Sequence, residues 1–268
     1  MASARVQVRT EIEAIRQGLR CSNLEAVFAT IHLVLSQGIF LTNYILDLGG
    51  SNLVCGIVEA LPYTVQFTYF ASPLLVRRMR KRKPVVVFFA VAHRASWISL
   101  VALLFVDWPS TVKQTLMVLN LLLANACAVI AGNAWFSWMT DLVPPSIRGS
   151  YYGRRNVYLG MTSMITLFVG SQILTAFREV GWGNWGYTLC FSIAILSAFY
   201  AGYLLNRQYE PPISEVPVMT PRMALGALRE TPLLRDFIGF FTIWQFGMEC
   251  RRRFSACRWC GCWACRRP

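Results

Sequence analysis

Apolar residues in this chain come in long runs broken by short charged or turn-rich stretches, with neither the alternation of a half-buried strand nor the single stripe of a surface helix. Six runs reach the roughly 20 residues that an α-helix needs to cross about 30 Å of hydrocarbon. They are Glu25 to Leu46, Ser51 to Val76, Pro84 to Val106, Thr111 to Met139, Asn156 to Phe177 and Trp185 to Leu205. A seventh run starts at Phe237 and stops at Met248, about half a span. The pattern predicts an all-α polytopic membrane protein: a polar N-terminal segment over 1–22, a six-helix bundle over 23–205, a linker over 206–236, a partial seventh helix over 237–248 and a different kind of tail over 249–268.

The connections after spans one, three and five are short, which makes antiparallel neighbours and groups the spans as three hairpins. Residues 206–236 carry Pro211, Pro212, Pro217 and Pro221, which forbid one continuous helix. Within them, Pro221 to Glu230 has the form of a short surface helix with proline in its first turn. Residues 1–22 lack the apolar core of a signal peptide, so the first span is expected to act as the insertion signal.

Composition agrees: 55% of the 268 residues are hydrophobic and 15% charged, against about 25% charged in soluble domains. The net charge of +13 invites a nucleic-acid reading, but its placement argues against one. Arg5, Arg9, Arg16 and Arg20 precede the first span, Arg77 to Lys83 lie between spans two and three, Arg148, Arg154 and Arg155 between four and five, and Arg207, Arg222, Arg229 and Arg235 after six. Basic residues on alternate loops are the bias of cytoplasmic loops, which places the N-terminus in the cytoplasm and makes membrane lipids the expected partner.

Charged and polar groups at membrane depth are functional candidates, since each charge costs about 2.5–3.5 kcal/mol on insertion scales. Glu59 in span two shares a face with Pro62 and Gln66, as a cavity-lining carboxylate or one that reaches the headgroups. His93 and Arg94 fall mid-way along span three; Arg94 cannot lose its proton and is expected to contact an anionic solute or to pair with Glu59. His32, Ser36 and Asn43 form a stripe on span one, and Asn120, Asn125 and Asn133 mark span four, as cavity lining or as interhelical hydrogen bonds. Cys21, Cys55, Cys127 and Cys190 stand alone as small packing residues. No nucleophile with a base, glycine-rich nucleotide loop or H-E-x-x-H occurs, so neither an enzyme, a cofactor nor a metal site is expected.

The segment WFSWMTDLVPPSIRGSYYGRRN, from Trp135 to Asn156, resembles the loop joining the fourth and fifth helices of bacterial major facilitator superfamily transporters. The basic loop after span two and the long one after span six agree with that family's layout, although SPLLVRRMRKRK lacks the glycines and aspartate of its usual G-x-x-x-D-R-x-G-R-R. The resemblance implies the N-terminal half of a transporter in the bacterial inner membrane, moving a small solute by alternating access with a proton or another coupling ion. It implies that Asp141, Arg148, Gly149, Arg154 and Arg155 clamp the cytoplasmic helix ends, and that span one lines the cavity.

The tail CRRRFSACRWCGCWACRRP differs in kind from everything before it. As zinc ligands, Cys257-x-x-Cys260 and Cys262-x-x-Cys265 are separated by one residue, too few for the usual intervening loop. Disulfides need an oxidising compartment that half a span does not reach, and a lipid anchor explains arginine but neither cysteine nor tryptophan. Reading each codon from its third base turns Glu249-Cys250 into Val or Met, Trp259-Cys260 into Val, Cys262-Trp263 into Leu and Trp263-Ala264 into Gly. The shifted register continues the interrupted seventh helix, so the tail is expected to be out of frame. The alternative to a transporter is a membrane interaction or scaffold protein, or an inactive remnant.

Overall fold

The computed structural model describes residues 2–213, 223, 226 and 229–264, with side chains from Ile12 to Met248. Its elements are α1 (Ala2–Ser36), α2 (Ile39–Asp47), α3 (Asn52–Thr64), a 3-10 turn (Val65–Phe70), α4 (Ala71–Met79), α5 (Lys83–Ala102), α6 (Ser110–Leu142), a second 3-10 turn (Pro145–Ile147), α7 (Arg148–Glu179), α8 (Gly183–Arg207) and a C-terminal helix (Pro232–Ala264). No strand occurs among the described residues. Among the described residues, six helical stretches are long and apolar enough to cross a membrane: Ile12–Asp47, Asn52–Met79, Lys83–Ala102, Ser110–Leu142, Pro145–Glu179 and Gly183–Arg207. The chain is an integral membrane protein of the all-α class.

Three elements depart from the sequence reading. Span one is two helices, because Gly38 adopts φ 58° and ψ −129°, a conformation open to glycine and strained for any other residue. Span two is α-helix, 3-10 helix and α-helix in turn: Pro62 has no N–H for the ladder, and the 3-10 turn follows three residues later. The fifth span begins well before Asn156, since the polar Arg148 to Asn156 is its first two turns and only 143–147 remain as a connection. Arg148 makes that junction by donating to the carbonyls of Thr140 (3.0 Å) and Val143 (3.4 Å), groups that the end of α6 leaves without helical partners. The N-terminal segment is likewise helical, continuous with α1 from Ala2.

The chain forms two compact units, Met1–Ser214 and Glu215–Pro268. In the first, α1 packs on α8 and α7, α5 on α6 and α8, and α6 on the three pieces of span two. Exchanging spans one and four, two and five, three and six maps each substantial packing, apart from those between consecutive spans within a triplet, onto another of the same set. One on six becomes four on three, and one on five becomes four on two, while three on six and the slight contact of one with four map onto themselves. Short connections reverse the chain at each step, so the exchanged triplets run in opposite directions through the bilayer.

Two apolar clusters fill this unit. One gathers Phe40, Tyr44, Val58, Trp97, Met117, Leu174 and Phe191; the other gathers Leu19, Val86, Ile130, Trp138, Leu142, Tyr151 and Leu205. Along α1, α5 and α7 the buried charged residues fall between the positions given to the two clusters, so a polar layer lies between them. In the second unit the C-terminal helix runs through the expected half-span and into the tail, with Phe237 stacked on Phe241 and Phe240 on Trp244. The short helix expected over 221–230 lies largely outside the described residues, as do the tail's side chains.

Candidate functional site

The polar layer is built on α1, α5, α7 and α8. Glu25 of α1 accepts a hydrogen bond from Arg94 Nη2 of α5 at 3.0 Å and lies 3.8 Å from Arg155 Nη2 of α7. The Glu25 side chain is 7% exposed and those of both arginines 9%. Arg155 Nη1 donates to Ser22, at 2.7 Å to the carbonyl and 3.0 Å to the hydroxyl, and its guanidinium lies 4.9 Å from the Trp135 ring. Arg94 Nη1 donates to the carbonyl of Ala198 on α8 at 3.3 Å. Room for Arg94 comes from α8, whose inward face is Ala194, Ala198, Ala201 and Gly202; a Cβ at Gly202 would meet Val91 at 3.1 Å and Arg94 at 3.8 Å. Small residues at a helix crossing let backbones approach closely, the usual device inside membranes.

His32 stands seven residues beyond Glu25 on the same face of α1, a rise of about 10 Å. Its Nδ1 lies 3.2 Å from the carbonyl of Ala194, and its ring is edge-on to those of His93 (5.8 Å) and Trp97 (6.0 Å). His93 Nδ1 lies 3.0 Å from the carbonyl of Ala124. The two histidines therefore tie span one to six and span three to four, the two pairings that the internal exchange interconverts. His32 Nε2, Ser36 Oγ and Trp97 Nε1 are buried without hydrogen-bond partners among the described residues. No family model, curated protein or solved structure matches this chain.

Several expectations from sequence are corrected here. Arg94 pairs with Glu25 and not with Glu59, which is exposed on α3 with neither a hydrogen bond nor an ion pair among the described residues. Gln66 and Asn125 bond within their own spans, Gln66 to the carbonyl of Pro62 (3.1 Å) and Asn125 to that of Leu121 (2.7 Å). Asn120 and Asn133 join helices, donating to the carbonyls of Ser96 and Tyr69, each at 3.1 Å. The expected clamp divides: Asp141 pairs with Arg82 of the preceding basic loop at 2.6 Å, Arg155 turns inward, Arg154 is exposed, and a Cβ at Gly149 would meet nothing within 4 Å. Glu210 completes the Arg82 corner by accepting from the backbone N–H groups of Arg82 and Lys83, where the positive end of the α5 dipole favours a carboxylate.

Sequence reasoning missed Glu25, read as the edge of a span, and the inward turn of Arg155, read as loop. A signal for Glu25 was present: it extends the His32 and Ser36 stripe backwards at helical spacing. At the other end of the bundle, Asp47 accepts from Arg178 (2.8 Å) and from the Tyr187 hydroxyl (2.6 Å), a corner exposed enough to hold the ends in register and little more. A cavity of about 430 Å³ lies at the basic-loop ends, lined by Gln17, Lys83, Arg207, Gln208 and Glu210, apart from the polar layer. Among the described residues no group of three or more His, Cys, Asp or Glu is placed to hold a metal ion.

Proposed function

We propose that this chain is one six-helix half of a secondary transporter of the major facilitator kind, whose complete form moves a small solute by alternating access. The observation that carries the reading is the inverted exchange of spans one to three with four to six, the internal repeat on which such halves are built. A polar layer between two apolar clusters supports it, because ionisable groups inside a membrane bundle mark solute and ion pathways. Glu59 is the coupling candidate: an exposed carboxylate about 10 Å along span two from its Asn52 end, outside the Glu25 cluster, faces whatever packs against or flows past that surface. The tail is proposed to be out of frame, so the functional protein is the chain continued in the shifted register.

The test is flux in proteoliposomes holding the frame-restored protein. A proton gradient is expected to drive accumulation of a solute, and Glu59→Gln to uncouple it while leaving downhill exchange; unchanged coupled flux would remove Glu59 from the mechanism. The second reading is a non-transporting interaction protein. It gains if the 268-residue chain forms stable complexes in the membrane and the restored one moves nothing.

A further inference from the structure

Within the polar layer one carboxylate, Glu25, faces two guanidiniums, Arg94 and Arg155. Neither arginine can be neutralised by losing its proton. The layer therefore holds one positive charge in excess among the described residues, on side chains under 10% exposed, where an unbalanced charge is costly. The two contacts are unequal. Arg94 makes a hydrogen bond to Glu25 at 3.0 Å, whereas Arg155 Nη2 stands off at 3.8 Å and is held in place through its other nitrogen by Ser22.

The hydrogen-bond inventory leans the same way. Tyr151 lies one turn before Arg155 on α7 and is 7% exposed, and its hydroxyl has no partner among the described residues. A spacing of four residues puts it on the face of Arg155. Buried polar groups are normally satisfied, so an orphan hydroxyl beside the less fully paired cation describes a missing acceptor, an oxygen carrying negative charge. His32 Nε2 has the opposite need, since an Nδ1–H given to Ala194 leaves Nε2 a lone pair.

We infer that the solute is an anion whose carboxylate or phosphate group binds at Arg155, with Arg94 held by Glu25 as the fixed second charge and the Tyr151 hydroxyl as donor. The word solute rests on the transporter reading; the oxyanion site itself does not. A hydroxyl on the same molecule would meet His32 Nε2.

The experiment is thermal unfolding of the purified 268-residue chain in phosphatidylcholine nanodiscs, titrated with sodium gluconate, inorganic phosphate or galactose at one ionic strength. At least one oxyanion is expected to raise Tm saturably, and galactose to have no effect. Arg155→Gln is expected to abolish the response. Because that variant disturbs a buried pair, Tyr151→Phe serves beside it: it removes a donor with no partner among the described residues, and is expected to weaken the apparent Kd about ten-fold, as loss of a hydrogen bond to a charged group does. No saturable response to either oxyanion, an equal response to galactose, or an unchanged Kd in Tyr151→Phe would overturn the site. A rise in Tm that follows added phosphatidylglycerol, and neither soluble oxyanion, would assign the group to a lipid and overturn the solute claim. An oxyanion that binds but shows no flux through the frame-restored protein leaves the site standing and removes the transporter reading.

Discussion

At the scale of the residue, the charge count around Glu25 fixes a rank order of stabilities. Glu25→Gln leaves two arginines close together with no counter-charge, in surroundings where each side chain is under 10% exposed. Breaking such a buried pair by removing one partner typically costs about 3–5 kcal/mol. Arg94→Gln leaves one acid with one base, because Glu25 still has Arg155 at 3.8 Å. The glutamate variant is therefore expected to lose more stability than the arginine variant, read as Tm in one detergent; the reverse order would mean that the excess charge is already compensated within the chain. Ala198 and Ser22 contribute backbone acceptors to the same arginines, so neither variant is expected to behave as a simple cavity.

At the scale of the element, α7 contains a matched pair of glycines that separates packing from propensity. A Cβ at Gly170 would lie 2.6 Å from Leu35 and from Phe40, on either side of the break in span one, whereas one at Gly160 would meet nothing within 4 Å. Gly170→Ala is expected to destabilise by about 1–3 kcal/mol as overpacking does, and Gly160→Ala to be neutral or stabilising by up to about 1 kcal/mol from helix propensity. Equal effects in a thermal melt would show that α7 does not sit against the break. The spans themselves were legible because about 20 apolar residues in a row have few other uses. The breaks in them were not: hydropathy is blind to a glycine at positive φ, and Pro62 announces a fault without its extent. Arg148 to Asn156 reads as a loop by polarity alone, yet its three arginines lie on a helix, Arg148 bonded to the end of α6, Arg154 exposed and Arg155 turned towards Glu25. Pairing of Glu25 with Arg94 across 69 positions needs the packing of α1 on α8 and of α8 on α5, which no local pattern encodes.

At the scale of the molecule, the internal exchange closes within six spans and leaves the C-terminal helix without a counterpart in the repeat. On the transporter reading proposed above, alternating access requires a second bundle to rock against the first, and a seventh helix would open that other half. The chain's own letters carry that argument further than its fold does, because the residues after Glu249 are helical over Arg251 to Ala264 while their composition suits neither bilayer nor cytoplasm. Cysteine, arginine, tryptophan and glycine codons share G at their first or second position, and reading them one register over yields Val at Trp259-Cys260 and Leu at Cys262-Trp263, apolar residues where the half-span needs them. The prediction is that the nucleotide sequence over Met248 to Pro268 and several hundred bases beyond holds an open frame in the shifted register with about five further spans, each of roughly 20 apolar residues. A shifted frame that closes within a few codons would make the cysteine-rich segment the protein's own sequence. Assembly in the membrane would then become the activity to measure, with the oxyanion site at Arg155 left as it stands.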